Sequence, residues 1–417
     1  MRILVIGRGG REHAIIWALS KSPKAEKIYC APGNGGIAEL AECVPIQENQ
    51  FEEISQFACD NSIDLVVVGP EDPLADGIVD FLEAKQIPVY GPRSNAAIIE
   101  GSKVFTKNLM KKYGIPTAAY ESFERYEDAL AYVRQMGAPI VIKADGLAAG
   151  KGVVVAQTLE EAEKALKDIM LDKIFGESNV VVEEFLQGQE MSLLSFVDGN
   201  VVRPMVPSQD HKPVFDNDKG PNTGGMGTYS PVPHIPQSIV DEAIRTIVKP
   251  TAEAMVKEGR PFRGVLYAGL MLTAQGPKTI EFNARFGDPE TQVILPRLET
   301  DLLDIFLATI NGRLEEMDIQ WSDQAAVCVV LASPGYPGNY PKGLQIDGLR
   351  DVKDAIVFHA GTSAKDGQIV TNGGRVLGVV GLGSGIAEAR AQAYAGADVI
   401  QFEGKHNRTD IANKALV

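Results

Sequence analysis

No apolar run in these 417 residues approaches the roughly 20 residues that a membrane-spanning helix needs; even 325–332, among the longest, is far shorter. The opening residues 2–6 read as a strand. They lack the basic region, apolar stretch and small-residue cleavage site of a secretory leader, which predicts a cytoplasmic chain without a membrane partner. Cysteine is scarce: Cys30, Cys43, Cys59 and Cys328 form no C-x-x-C pair, and most sit in apolar runs. They read as buried free thiols rather than metal ligands or a redox pair. The five histidines are scattered, without the spacing of a metal site. Basic charge is also short, with 40 Lys and Arg against 55 Asp and Glu, a net charge of −15. That argues against a nucleic-acid partner, which needs a broad basic footprint. It does not exclude a phosphate-bearing small substrate, because a few local cations can invert the potential of one cleft. Internal repeats, low-complexity tracts and coiled-coil heptads are missing. The rest is ordinary globular composition, at a length suited to about two to four domains.

Along the first hundred residues, short apolar strands at 2–6, 27–30, 64–68 and 88–90 alternate with helical stretches such as 12–20, predicting a doubly wound parallel sheet over 1–101. Ser102 reads as the N-cap of a helix through Tyr113, with Gly114 as its stop. A small glycine-rich unit of strand, helix, strand, strand, helix and strand completes 102–190. Longer strands at 190–197, 201–206, 264–272 and 278–283 then build a unit over 191–324. Between them Val240, Ile244, Ile247, Thr251 and Met255 repeat at helical spacing, and Pro250 kinks or restarts that helix. A last unit, 325–417, has strands near 327–331 and 376–382. The polar stretch 209–230 is long for a loop, and long ordered loops are usually functional.

Several stretches carry chemistry. Gly7-Arg8-Gly9-Gly10-Arg11-Glu12-His13 follows the first strand and opens a helix, a setting for an anion. A dinucleotide site is the rival, but Glu12 stands where its third glycine belongs, and no acidic residue ends the second strand. The stretch from Lys143 through Gly146, Gly150, Lys151 and Gly152 resembles a P-loop but fails on spacing, and no Ser or Thr follows its lysine. It reads as a hairpin whose amides fold over nucleotide phosphates, with Lys143 as a phosphate contact. Glu183, Leu186 and Glu190 could supply, in order, an acceptor for an adenine amine, a backbone donor for its ring and a carboxylate for ribose; alone, exposed acids at a turn explain them as well.

The strongest local signal is 279–290. Alternate strand residues share a face, so Ile280, Phe282 and Ala284 point into a core while Glu281, Asn283 and Arg285 point the other way. Two oxygen ligands two residues apart suit Mg²⁺, or Mn²⁺, bridging to phosphates, and Arg285 can grip a phosphoryl oxygen. Asp210 could hold a substrate amine. The stretch 220–227 is too rich in glycine for a strand or helix, and its run of backbone donors, through Asn222, Thr223, Gly224, Gly225 and Met226, suits a carboxylate or oxyanion.

Together these stretches, with Gly69-Pro70-Glu71, Glu100-Gly101-Ser102-Lys103 and 373–379, resemble the ATP-grasp superfamily and, more narrowly, the glycinamide ribonucleotide synthetase family, over the whole chain. The resemblance implies an α/β and α+β multidomain fold: an N-terminal Rossmann-like domain, an ATP-grasp lid and central domain, and a small C-terminal domain. It implies an ATP-dependent ligase of purine biosynthesis joining glycine to 5-phosphoribosylamine, as a monomer or small homo-oligomer. By this resemblance Lys103 and Lys143 contact ATP, residues 183–190 form the adenine and ribose hinge, Glu281 and Asn283 hold the metal, and Gly9 and Gly10 lie near the ribose phosphate. Two positions depart from the pattern: Arg8, where many relatives carry Ser, and Asn217, where many carry Gly. A sister ATP-grasp ligase, a nicotinamide oxidoreductase and a non-catalytic nucleotide-binding regulator are the competing readings.

Overall fold

A computed structural model describes residues 1–147 and 152–416. Its first unit is a five-stranded parallel sheet in the order Glu42–Cys43, Lys27–Pro32, Arg2–Gly7, Leu65–Val68, Val89–Tyr90. Leu4 and Ile6 enter one core while Ile3 and Val5 enter another on the opposite face. Both faces are therefore dry, which is why the strand reads as an unbroken apolar run. The first helix starts at Gly10, two residues before the expected position, because the Glu12 carboxylate reaches back to cap the Gly9 amide at 2.7 Å. The glycines around it serve that side chain: a Cβ on Gly7 or Gly69 would overlap Glu12. The expected helix from Lys103 to Tyr113 is present, with Ser102 Oγ accepting from the Phe105 amide and Gly114 closing it at φ 66°.

The lid is an antiparallel sheet, ordered Tyr120–Phe123, Val180–Glu184, Ile140–Ala144, Val153–Ala156. Helices Tyr126–Met136 and Leu159–Met170 cover one face and share a core of their own with Ile142 and Val182. The alternate residues Val141, Lys143, Val155 and Glu183 line the cleft. The central sheet runs Val201–Pro204, Gln189–Asp198, Arg263–Thr273, Gly276–Asn283. Pro250 acts through a π-turn: Ile244–Val248 widens the helix just before Lys249–Lys257, which carries the proline in its first turn, where its missing amide is tolerated.

The fourth sheet overturns two expectations. Its order is Gln209–Asp210, Gly227–Ser230, Ala325–Ala332, Arg375–Gly383, Ala355–His359. Residues 209–210 and 227–230, expected within a loop, are strands of this sheet. Between them Pro213–Phe215 and Lys219–Asn222 form a hairpin, so part of the glycine-rich stretch is a strand after all. Asn217, at its turn, has φ 58°, the conformation glycine would supply. Of the cysteines, Cys30 and Cys328 are buried, but Cys43 is half-buried and Cys59 exposed, so burial holds for only part of the set. No helix among the described residues is long and apolar enough to cross a membrane.

Candidate active site

The lid, the linker helix Lys103–Tyr113 and the central sheet enclose a cleft of about 680 Å³. Its floor is the strand Gly276–Asn283. Phe282 packs into the core, while Glu281 and Asn283 line the cleft. The pairing slips between Gly269 and Leu270, leaving Ile280 as an extra residue that lies half-buried at the cleft, not in the core it was expected to enter. The carbonyl of this bulge accepts a hydrogen bond from Lys143 Nζ at 3.0 Å, tying the lid to the floor beside Glu281. Burial pushes the Glu281 carboxyl up, but the charges of Lys212, Lys143, Lys103 and Arg285 hold it below its ordinary value. Among the described residues no protein group donates a hydrogen bond to it, and no cluster of three His, Cys, Asp or Glu side chains occurs. An ionised carboxylate beside an amide oxygen fits a hard cation that draws its other ligands from phosphates.

The lysines approach from two sides. Lys103 Nζ donates to the Gly146 carbonyl at 2.8 Å, and its amide is capped by Asp145 Oδ1 at 2.7 Å. Lys143 Nζ also lies 2.9 Å from Glu183 Oε1. Glu183 is the first correction in the cleft. Expected to accept from an adenine amine, its carboxylate is instead enclosed by Lys143 and by Lys107, whose Nζ is 2.9 Å from Oε2. Leu186 and Glu190 line the cleft as expected, and Glu190 pairs with Lys212 at 3.1 Å. Gly152 lines it too, whereas Gly150 and Lys151 lie outside the described residues.

Arg285, expected to grip a phosphoryl oxygen, is already matched by two carboxylates: Nε is 3.1 Å from Glu71 Oε2 and Nη2 is 3.0 Å from Glu100 Oε1. Its Nη2 also donates to Asn283 Oδ1 at 3.3 Å, orienting that amide. Burial opposes ionisation of Glu71, yet Arg285 and Arg11 hold its carboxyl down at about 2. Across the cleft, burial raises the Asp210 carboxyl to about 7, against the charge of Lys212 and with the help of Glu290 and Glu190. Glu290 is itself buried and accepts from Tyr267 Oη at 2.6 Å.

The amides of residues 223–226 are already taken within the protein. Thr223 N donates to the Lys212 carbonyl, Gly224 N to Tyr336 Oη, Gly225 N to Thr223 Oγ1 and Met226 N to the His211 carbonyl. Met226 is fully buried in a small cluster with Val214 and Ala332, so it cannot touch a substrate; Asn222, Thr223 and Gly224 do line the cleft. Gly9 and Gly10 do not. The Gly9 amide is held by Glu12, a Cβ on Gly10 would come within 2.6 Å of Gln292 Nε2, and Arg11 reaches the cleft in their place. Arg375 was quoted only within a motif, yet its Nη1 donates to the carbonyls of Gly224 and Asp288, both at 2.8 Å. Lys212 and Glu290 lie inside the stretches 209–230 and 279–290 without a role of their own in the sequence, and Lys107 and Tyr267 lie outside the stretches singled out there for their chemistry. Lys107 has a local signal, lying one helical turn after Lys103.

Comparison with known proteins agrees with this geometry. Residues 1–100, 101–291 and 326–414 match the N domain, the ATP-grasp (A) domain and the C domain of phosphoribosylglycinamide synthetase. The phosphoribosylamine–glycine ligase of Caldanaerobacter subterraneus subsp. tengcongensis is 53% identical over 99% of both chains, and that of Vibrio cholerae 50% identical over 100% of this chain and 99% of the other. The crystal structure of phosphoribosylamine–glycine ligase from Thermotoga maritima superposes with a TM-score of 0.87 at 38% identity, covering 99% of this chain and 100% of that one. A biotin carboxylase domain from Hydrogenobacter thermophilus shares the fold alone, at TM-score 0.73 and 16% identity over 97% of this chain and 91% of that one. With all three domains matched in order and half of its residues identical to those of curated relatives, the chain belongs to the phosphoribosylglycinamide synthetase family.

Proposed function

We infer that the cleft joins glycine to 5-phosphoribosylamine with ATP as the phosphoryl donor, giving glycinamide ribonucleotide, ADP and phosphate in de novo purine biosynthesis. The observation that carries this reading is the convergence of Lys103, Lys143 and Lys212 on the Glu281 and Asn283 face, opposite a half-buried Asp210. A carboxylate does not react with an amine at neutral pH, because oxide is a poor leaving group. One carboxylate oxygen of glycine attacks the γ-phosphorus and ADP departs, leaving glycyl phosphate. The amine then attacks the acyl carbon, phosphate departs, and the amine's extra proton is lost.

The chain's work is positioning and charge matching. Lys103 and Lys143 hold phosphate oxygens, and Leu186 and Glu190 flank the adenosine. Asp210, when ionised, holds a substrate ammonium. Asn222 and Thr223 edge the acceptor side of the cleft. The lid closes over the acyl phosphate and excludes water. Glu281 and Asn283 would hold Mg²⁺ or Mn²⁺, which when bound neutralises charge between the phosphates. Arg285, shared between Glu71 and Glu100, orients Asn283. A cytoplasmic setting, with its ATP supply and reducing conditions, suits these substrates and a chain with four free thiols.

The test is ADP formation with Mg²⁺-ATP, glycine and phosphoribosylamine generated in place, each omitted in turn. Turnover needing all three, with glycinamide ribonucleotide as product, is expected. Turnover with another carboxylate or amine instead would move the chain to a sister ligase chemistry, and no ADP in any combination would overturn the reading.

A further inference from the structure

One buried cation beside the nucleotide end of the cleft has no task in that scheme. Lys107 is 3% exposed at its side chain, although lysine ammonium groups ordinarily stay in water. It projects from the linker helix one turn after Lys103. Its three donor directions are accounted for: Glu183 Oε2 at 2.9 Å, Thr117 Oγ1 at 2.7 Å, and the face of Tyr120 with its centroid at 5.6 Å. Its close contacts are with protein groups, at the border of the cleft. Glu183 and Lys143 come from adjacent lid strands, where Glu183 pairs with Val141 and Lys143 with Val181. The carboxylate and the ammonium are thus diagonal neighbours on one face. Lys143 gives one donor to the Ile280 carbonyl and one side to Glu183, and keeps a third for the cleft.

Two ammonium groups share the Glu183 carboxylate, while Lys143 also faces Glu281 and Lys107 also faces Glu184. Burial pulls the Lys107 ammonium down to about 8, against the attraction of Glu183 and with the repulsion of Lys143.

We propose that Lys107 is a positioning residue of the nucleotide site. By anchoring one oxygen of Glu183, it makes the other oxygen hold Lys143 aimed into the cleft. This rests on the reading that Lys143 contacts ATP. Without Lys107, Glu183 closes on Lys143 as a one-to-one pair, and the aim is lost. Thr117 Oγ1 donates in turn to the Thr279 carbonyl at 2.8 Å, so the same anchor is registered to the strand that carries Glu281.

The test is calorimetric binding of β,γ-methylene-ATP with Mg²⁺ to the full chain, with kinetics for ATP and glycine alongside. Lys107→Met is expected to weaken nucleotide binding by about ten-fold or more while KM for glycine moves by less than about two-fold, and Lys107→Arg to recover most of the loss. In a Glu183→Gln background, the same Lys107→Met change is expected to alter affinity by less than about two-fold, because Lys107 acts through that carboxylate. A full loss persisting in that background would show that Lys107 touches the nucleotide itself and would overturn the proposal, as would unchanged affinity in Lys107→Met. Should Lys107→Met fail to fold, Lys107→Arg and Glu183→Gln decide it: wild-type nucleotide affinity in Glu183→Gln would overturn the role. Wild-type protein that binds no nucleotide would overturn the ligase reading and this assignment together.

Discussion

At the scale of single residues, two side chains make separable predictions. Glu281 sits among cations with no protein donor hydrogen-bonded to it among the described residues. Glu281→Gln should lower kcat on the order of 10²-fold or more, measured as ADP formation at saturating Mg²⁺. Near-normal turnover would remove the metal from that face. Asp210 titrates at about 7, well above an ordinary aspartate. Below that pH it is neutral and loses its hold on an ammonium. The kcat/KM for glycine should therefore fall as pH drops through about 7, and Asp210→Asn should be slow with that dependence flattened. Stability carries the opposite sign. A carboxyl whose folded pKa is raised favours the fold at low pH and weakens it as pH climbs from the ordinary aspartate range through 7. Asp210→Asn should therefore unfold at a higher temperature than wild type at pH 8 while being the poorer enzyme. The faces of Glu281 and Asn283 were legible because strand alternation fixes them. The partner of Glu183 was not, because periodicity tells which way a side chain points and nothing about what another element brings opposite it.

At the scale of elements, the hairpin Pro213–Phe215 to Lys219–Asn222 shows what local sequence leaves out. It was expected as a loop, since glycine and polar residues dominate it, and its true partners lie about two hundred positions away. The fully buried Arg408 donates to the Pro213 carbonyl at 3.1 Å and to Asp218 Oδ1 at 3.0 Å, and pairs with Asp410 at 2.7 Å. Asp410 in turn accepts from the Asn217 amide at 2.8 Å, and Asn217 and Asp218 both hold positive φ. The C-terminal segment thus clamps a turn that would not persist alone, and through it the stretch from Lys212 to Gly224 at the cleft edge. Arg408→Met should raise KM for glycine or phosphoribosylamine by about ten-fold, leave KM for ATP near its wild-type value and lower the unfolding midpoint, because it strands Asp410 and leaves Asp218 with Lys414 alone beside a strained turn. A matching rise in KM for ATP would show instead that the whole cleft had loosened. The linker helix is the contrasting case. Ser102 and Gly114 are local signals, and both ends of that helix fall where they place them.

At the scale of the whole molecule, the cleft is assembled from parts that each fold around different contacts. The lid keeps its own core, while the cores of the other three sheets run into one another. The N-terminal sheet meets the ATP-grasp floor through charge: Arg285 lies between Glu71, which follows an N-terminal strand, and Glu100, which ends a helix just before the linker. Arg11 joins from the first helix, 3.6 Å from Glu71. The two carboxylates differ in sign. Glu71 is held down at about 2 by its arginines in spite of burial, so its contribution to stability is fully present above the ordinary glutamate range and is lost as pH falls towards 2. Burial leaves the Glu100 carboxyl above its ordinary value even beside Arg285, so its ionisation disfavours the fold as pH rises. A Glu71→Gln chain should therefore be less stable than wild type at pH 7, by up to about 3 kcal/mol, and the gap in urea midpoints should narrow steadily as pH falls from 4.5 towards 2. Glu100→Gln should show no such closing gap. If Glu71→Gln and wild type differ equally at every pH, the side chain fills space at the domain junction, and its charge does not hold the N-terminal sheet to the floor of the cleft.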